Sequence, residues 1–351
     1  EFQVIELSGQ AKKTWKEALD FDISYKKFAD LLEKTLKPEE DSGPEVLSKQ
    51  ENLNEFKKAR KLVGSDEPIY LLNIVDTNTV GLDGPDKKMK GGEHRRFASL
   101  FRSTKEPTKG KGAGSWGLGK NSFTNASHLG MFLTCSNPKD TKSAKRKDGD
   151  RYRIYGMSIN NQAQLEDAQE SDYLSSYWNF GETKVKEETT SDTYDTDIAS
   201  EFPISNWSKS SWNNKEIAKA LQLDQLSNSN GTVVQIPVLK TEEFGKENLL
   251  ESISKEIFDQ CALWLWPAIL SGKMKVKITT KEIKNNSKTD ISKTFNISKE
   301  LLLTNKFVKP YCEIYDQIKT SSDIDTQYDE NNTKYLHVEN VEYLIPTEKN
   351  E

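Results

Sequence analysis

The stretch Gly110–Ser127, GKGAGSWGLGKNSFTNAS, sets five glycines within ten residues, follows them with a lysine and runs into a segment of helical character. Glycine admits positive φ without steric cost and, having no Cβ, lets backbone N–H groups crowd around an anion. A helix N-terminus just beyond adds unpaired N–H donors and the positive end of a dipole. This chemistry suits a polyphosphate.

Two designs share these letters. Gly114, Gly119 and Lys120 satisfy GxxxxGK, the start of a Walker-type phosphate loop. Asn121, however, stands where Ser or Thr should hold Mg²⁺, and Ser122 comes one position late. A Walker loop also leaves directly from a buried strand, whereas the preceding residues, STKEPTKGKGA, read as solvated loop. The second design is a GxxGxG turn, Gly114, Gly117 and Gly119, between a long flexible lid and a helix. The surroundings fit this one better.

Upstream, Gly81 to Gly112 is charged and glycine-bearing, with Lys87, Lys88, Lys90, Arg95 and Arg96, and only Phe97–Phe101 looks packable. A long loop of this kind in a compact domain is functional or disordered. Before it, PIYLLNIVD is an apolar run too short for a helix and reads as a buried strand ending at Asp76. Phe2–Leu7 alternates apolar and polar and reads as a strand. Residues 11–36 carry apolar positions at helical spacing, as one or two amphipathic helices. A further helix is expected from Leu47 to Leu62, after the acidic turn KPEEDSGPE.

Downstream, LGMFLTCS and YRIYGMSI read as consecutive strands joined by a lysine-rich connection. Residues 161–229 are a polar, irregular insertion with a helix near Lys215–Leu223. GTVVQIPVL is a strand, Leu249–Leu265 a helix, and MKVKITT begins a further strand region.

With 351 residues the chain can hold one large domain or two ordinary ones. A net charge of −5 gives no global attraction to nucleic acid or anionic membrane. Cys135, Cys261 and Cys312 are too scattered for a disulfide framework or a zinc site and point to a reducing cytoplasm. Cys135 and Cys261 read as small buried hydrophobes. The longest apolar run, CALWLWPAIL, is about half of what a bilayer needs. Its Trp264 and Trp266 read as core. His94, His128 and His337 lack metal spacing, and His128 is placed to cap the helix after the glycine turn.

Three stretches occur in the order of one nucleotide-binding design. They are VDTNTVGL with Asp76 and Gly81, then GSWGLGKNS, then NGTVVQIP with Gly231 and Thr232. Together they resemble the GHKL ATPases, the group of gyrase B subunits, heat-shock chaperones, sensor histidine kinases and MutL. The overall pattern is most similar to MutL-like and MORC-like ATPases of bacterial defence systems, over roughly residues 1–280.

The resemblance implies an α/β sandwich of the Bergerat type, a mixed sheet with helices on one face. Residues 1–240 would form the ATP-binding domain and 241–351 a transducer-like or accessory α/β region. It implies ATP and Mg²⁺ as cofactors. Asp76 would accept the adenine amino hydrogen bond, and Asn78 would take the place of a motif glycine, with left-handed φ that asparagine tolerates. Gly81 would allow close approach, and Thr232 would face the adenine side. The phosphates would lie along Gly112, Gly114, Ser115, Trp116, Gly117, Leu118, Gly119, Lys120, Asn121 and Ser122.

The family's catalytic ExxxN helix does not precede Asp76. The one ExxxN, Glu282 to Asn286, falls in a late turn and is a chance match. Because the chain opens with Glu in a strand, a fragment or processed product is expected. Base and metal ligand would then lie outside it, and this chain alone should turn ATP over poorly. The family couples ATP binding and lid closure to dimerisation or partner control, here expected in an anti-phage or restriction system. The alternative is a non-hydrolysing scaffold with a degenerate pocket, whose basic segments 87–111 and 138–147 would contact DNA.

Overall fold

The computed structural model describes residues 1–19, 21–22, 44–84, 96–101, 119–139, 152–159, 177–180, 183–185, 201–203, 215–226, 229–245, 247–285, 291–320, 325–328 and 334–337. The chain divides into two units, Glu1–Ile257 with Lys277–Asn296, and Phe258–Val276 with Ile297–Glu351.

In the first unit, strand β1 (Phe2–Leu7) leads into helix α1 (Gly9–Ala18), and helix α2 (Pro44–Gly64) into strand β2 (Ile69–Thr77). Two short helices follow, α3 (Arg96–Phe101) and α4 (Gly119–Asn125), then strands β3 (Met131–Asn137) and β4 (Arg153–Ile159). Strands β5 (Tyr177–Phe180), β6 (Thr183–Val185) and β7 (Glu201–Pro203) precede helix α5 (Lys215–Ala220) and strand β8 (Gly231–Ile236). Helix α6 (Leu249–Leu270), which belongs to the second unit from Phe258 on, then leads to strands β9 (Lys277–Ile283) and β10 (Ile291–Asn296).

Eight strands form one sheet in the order β10-β9-β1-β2-β8-β3-β4-β5. β1 and β9 run parallel, and every other neighbouring pair is antiparallel. The sheet is therefore mixed, and with its helices the fold is of the α/β class.

Successive side chains on a strand point to opposite faces. On β2, Ile69, Leu71 and Val75 face a core shared with Ile5, Leu133, Cys135 and Val233, covered by Trp15 of α1, Phe56 and Ala59 of α2, and Ala218 of α5. The other face is also covered. There Phe97 and Phe101 of α3 pack with Phe132, Tyr155 and Met157, while Ile253 of α6 packs with Val4, Ile236 and Leu239. The expectation of helices on one face is corrected by this arrangement. β3 is buried at all seven positions, which a sheet reaches only when both faces are roofed.

Gln235, Asn73 and Lys12, polar residues buried beside the first core, are paired. Gln235 donates to Asn73 Oδ1 at 2.9 Å and to Leu221 O at 2.8 Å, and accepts from Trp15 Nε1 at 3.3 Å. Lys12, 4% exposed, reaches from α1 to the end of α2, where its Nζ donates to Leu62 O, Ser65 O and Glu67 O at 2.6 to 2.8 Å. The last carbonyls of a helix have no partner within it, so a buried cation completes that terminus.

His128 does not cap α4. Its ring is buried between two carboxylates, with Nδ1 2.6 Å from Glu55 Oε2 and Nε2 3.0 Å from Glu242 Oε1.

In the second unit, helix α7 (Lys299–Leu302) is capped by Ser298, whose hydroxyl accepts from Leu301 N. Helix α8 (Lys309–Thr320) and a two-stranded pair, β11 (Asp325–Tyr328) with β12 (Lys334–His337), follow. Trp266 packs on Tyr311 and Tyr315, with ring centroids 6.1 and 6.0 Å away. Trp264 is 73% exposed, against the expectation that both tryptophans are core. Two positions along a helix turn a side chain about 200° away from its neighbour, so adjacent tryptophans cannot share one apolar stripe. Among the described residues no helix is long and apolar enough to cross a membrane.

Candidate functional site

β2 is buried until Val75 and then emerges, with Asp76 and Thr77 exposed. The register places Asp76 directly opposite Thr232 on β8, Thr232 opposite Ser136 on β3, and Ser136 opposite Arg153 on β4. Directly opposed residues share a face, so these four polar side chains form one row across the sheet. The row grades from an exposed carboxylate, through a half-buried threonine, to a serine and an arginine with at most 1% exposure.

The chain after β2 folds back over the buried end of this row. Asn78 has φ +61°, the left-handed conformation expected of it, and its N–H donates to Asn230 O at 2.8 Å. Gly81 has φ +69°, and a Cβ there would lie 2.9 Å from both Ser136 Oγ and Pro138 Cα. Glycine is required on both counts: its backbone sits against β3, in a conformation other residues rarely adopt. Lys139 N donates to Val80 O at 3.0 Å, Leu82 N to Ser136 Oγ at 2.7 Å, and Arg153 Nη1 to Leu82 O at 3.2 Å and Gly84 O at 2.7 Å. The turn is thus pinned along its length.

The same turn holds the start of α3. Asp83, 1% exposed, accepts from Arg96 Nη1 at 2.6 Å and from Arg96 N at 3.2 Å, and its carbonyl accepts from Phe97 N at 3.0 Å. A carboxylate at a helix start is favoured by the free N–H groups there.

Asp76, Asn78 and Gly81 from one stretch and Thr232 from another therefore meet at one end of the sheet. α4 carries Gly119, Lys120, Asn121 and Ser122 and packs through Phe123 on Phe132, with centroids 5.5 Å apart, on the sheet face that Asp76 also joins. Gly112, Gly114, Ser115, Trp116, Gly117 and Leu118 lie outside the described residues, as do 87–95 and 102–111 of the basic segment 87–111, and 140–147 of the segment 138–147. Ser136, Asp83 and Arg153 were not singled out from sequence. The signal was present, since Ser136 and Arg153 are polar residues inside otherwise apolar strands, LGMFLTCS and YRIYGMSI.

The Asp76 main chain pairs with Thr232 in the ladder, while its carboxylate takes no hydrogen bond or ion pair from the described residues. Thr79 Oγ1, close by in the chain, is enclosed with no hydrogen-bond partner among them. Ser136 Oγ lies 2.9 Å from Gly231 O and 3.1 Å from Thr232 Oγ1. The arrangement offers oxygen acceptors at a solvent-facing edge, suited to N–H donors of a ligand.

Nucleophilic chemistry is not favoured at the cysteines. Burial pushes the Cys135 thiol far above its usual range and that of Cys261 up to about 11, so neither supplies thiolate readily. Among the described residues no group of three or more His, Cys, Asp or Glu is placed to hold a metal ion.

Comparison with family models, with curated proteins and with solved structures gives no match to this chain.

Proposed function

We propose that the unit carrying the eight-stranded sheet binds ATP in the manner of the GHKL ATPases, with adenine at the Asp76–Thr232 edge. The observation that supports this reading is the direct cross-strand pairing of Asp76 with Thr232. The resemblance chose the two residues independently, from stretches far apart in the chain, and each needs the other for a purine edge to be held. The Asn78–Gly81 turn supports it further, because Gly81 leaves no room for a Cβ.

In this reading the Asp76 carboxylate accepts from the exocyclic amino group, and Thr232 adds a second polar contact. Gly81 lets the ring or the lid backbone come close to β3. The phosphates and their Mg²⁺ would follow Gly112–Ser122, where glycine N–H groups and Lys120 supply positive charge. ATP binding would order the lid and act as a switch on dimerisation or on a partner, in the defence role that the resemblance implies. No general base or metal ligand is assigned to a residue of this chain, so binding rather than turnover is the activity proposed for it.

Calorimetry with ATP and Mg²⁺ on the wild type and on Asp76→Asn tests this. The wild type should bind, and the variant should bind at least about tenfold more weakly, since a charged hydrogen-bond acceptor is lost. A wild type that does not bind, or a variant that binds equally well, overturns the assignment.

A further inference from the structure

We propose that Ser136 sets the hydrogen-bonding polarity of the site and thereby selects a purine with an amino group at position 6 over one with a carbonyl there. The inference rests on the nucleotide reading above.

Ser136 is fully buried, and its Oγ has three polar neighbours: Leu82 N at 2.7 Å, Gly231 O at 2.9 Å and Thr232 Oγ1 at 3.1 Å. A serine hydroxyl has one proton and two lone pairs. Leu82 N–H can only donate, and it occupies one lone pair. Gly231 O can only accept; a contact of 2.9 Å between two oxygens without a proton would be repulsive, so the Ser136 proton lies there. One lone pair remains, and it faces Thr232. Thr232 must therefore give its single proton inward, to Ser136.

What Thr232 then shows to a ligand is lone pairs alone. The Asp76 carboxylate, directly opposite, is likewise an acceptor. The edge accepts hydrogen bonds twice and donates none. A 6-amino group brings two N–H donors to such an edge. A 6-oxo group brings lone pairs against lone pairs where the amino group would donate, which weakens binding on the order of tenfold. Ser136 touches no ligand in this scheme; it is a positioning residue acting through Thr232.

The test measures dissociation constants for ATP and for inosine triphosphate, each with Mg²⁺, on the wild type, Ser136→Ala, Thr232→Val and the double variant. Thermal melting of each variant confirms folding. The wild type should prefer ATP. Ser136→Ala frees the Thr232 proton to turn outward, so the preference should fall about tenfold. Thr232→Val removes an acceptor while leaving the Ser136 bonds to Leu82 and Gly231, and it should also reduce the preference. In its background Ser136→Ala should add nothing.

If Ser136→Ala does not fold, Thr232→Val still decides, because an unchanged preference there overturns the proposal. Asp76-dependent ATP binding with no preference in the wild type, or with the same preference in the folded variants, overturns this inference and leaves the nucleotide reading standing. A wild type that binds neither nucleotide overturns both.

Discussion

The guanidinium carbon of Arg153 lies 3.5 Å from the ring centroid of Phe97, so a buried cation on β4 forms the seat of α3. The same group donates to Leu82 O and Gly84 O, and thus joins the turn after Asp76 to the first packed helix beyond it. Arg153→Ala would leave both carbonyls without that donor and empty the space beside Phe97. A loss of about 3 kcal/mol is expected from these combined effects. Arg153→Lys should recover only part of it, because an ammonium cannot reproduce a planar fork that also stacks on a ring. Urea unfolding midpoints check the order wild type, Lys, Ala; a loss in the alanine variant of under about 0.5 kcal/mol would contradict it.

Lys12 carries a second buried charge, and there the fold uses it to finish a helix. Burial pushes its ammonium pKa down, while Asp66 and Glu67 pull it back up. Lys12→Met keeps the apolar stem but removes the donor to Leu62 O, Ser65 O and Glu67 O. Leaving these carbonyls unpaired should cost about 2–4 kcal/mol, visible as a lower melting temperature and faster amide exchange at the end of α2. A variant as stable as the wild type would show that water replaces the ammonium without penalty.

The sheet was largely legible because its strands announce themselves. FQVIEL and PIYLLNIVD alternate or run apolar between breakers, and the structure places β1 and β2 there. Trp264 and the second covered face were not legible, for one reason: a helix or sheet face is defined by what lies against it. Nothing in a local window says that Phe97 and Phe101 return to roof Phe132. At the site, Asp76 and Thr232 were legible as types at strand ends. Ser136 stood out only as a polar residue in an apolar strand; its role depends on Leu82, Gly231 and Thr232, which no local window brings together.

Acid should loosen the cluster around His128. Burial raises the Glu242 carboxyl pKa, but the hydrogen bond from Lys58 and the charges of His128 and Lys58 outweigh this and hold it below the ordinary value. The folded state therefore binds that proton less readily than the unfolded chain does. The stabilisation is complete above about pH 5 and is lost as pH falls through the ordinary glutamate value and below. Glu242 keeps 48% of its side chain exposed, so solvent screening limits the effect. Glu242→Gln should melt about 2 °C below the wild type at pH 7, and the gap should close near pH 3. A gap that persists unchanged to pH 3 would assign the loss to packing instead.

Three glycines should respond to alanine in a fixed order set by the space around each. A Cβ on Gly231 would lie 2.0 Å from Asp76 O, with φ at +153°, so β2 and β8 cannot keep their pairing there. Gly231→Ala should cost at least about 3 kcal/mol, or prevent folding, because backbone must move on both sides of the candidate site. At Gly81 the clash is with Ser136 Oγ and Pro138 Cα at 2.9 Å, and φ is +69°. Gly81→Ala should cost about 2 kcal/mol, combining left-handed strain with a small displacement of the turn. Gly64, at the end of α2, has nothing within 4 Å of the added methyl and no positive φ. Gly64→Ala should leave stability unchanged or raise it by about 0.5 kcal/mol, by restricting the unfolded chain. Thermal melts of the three variants test the order. If Gly231→Ala proved as benign as Gly64→Ala, the close approach of β8 to Asp76 would be wrong, and with it the geometry that brings Thr232 beside the carboxylate.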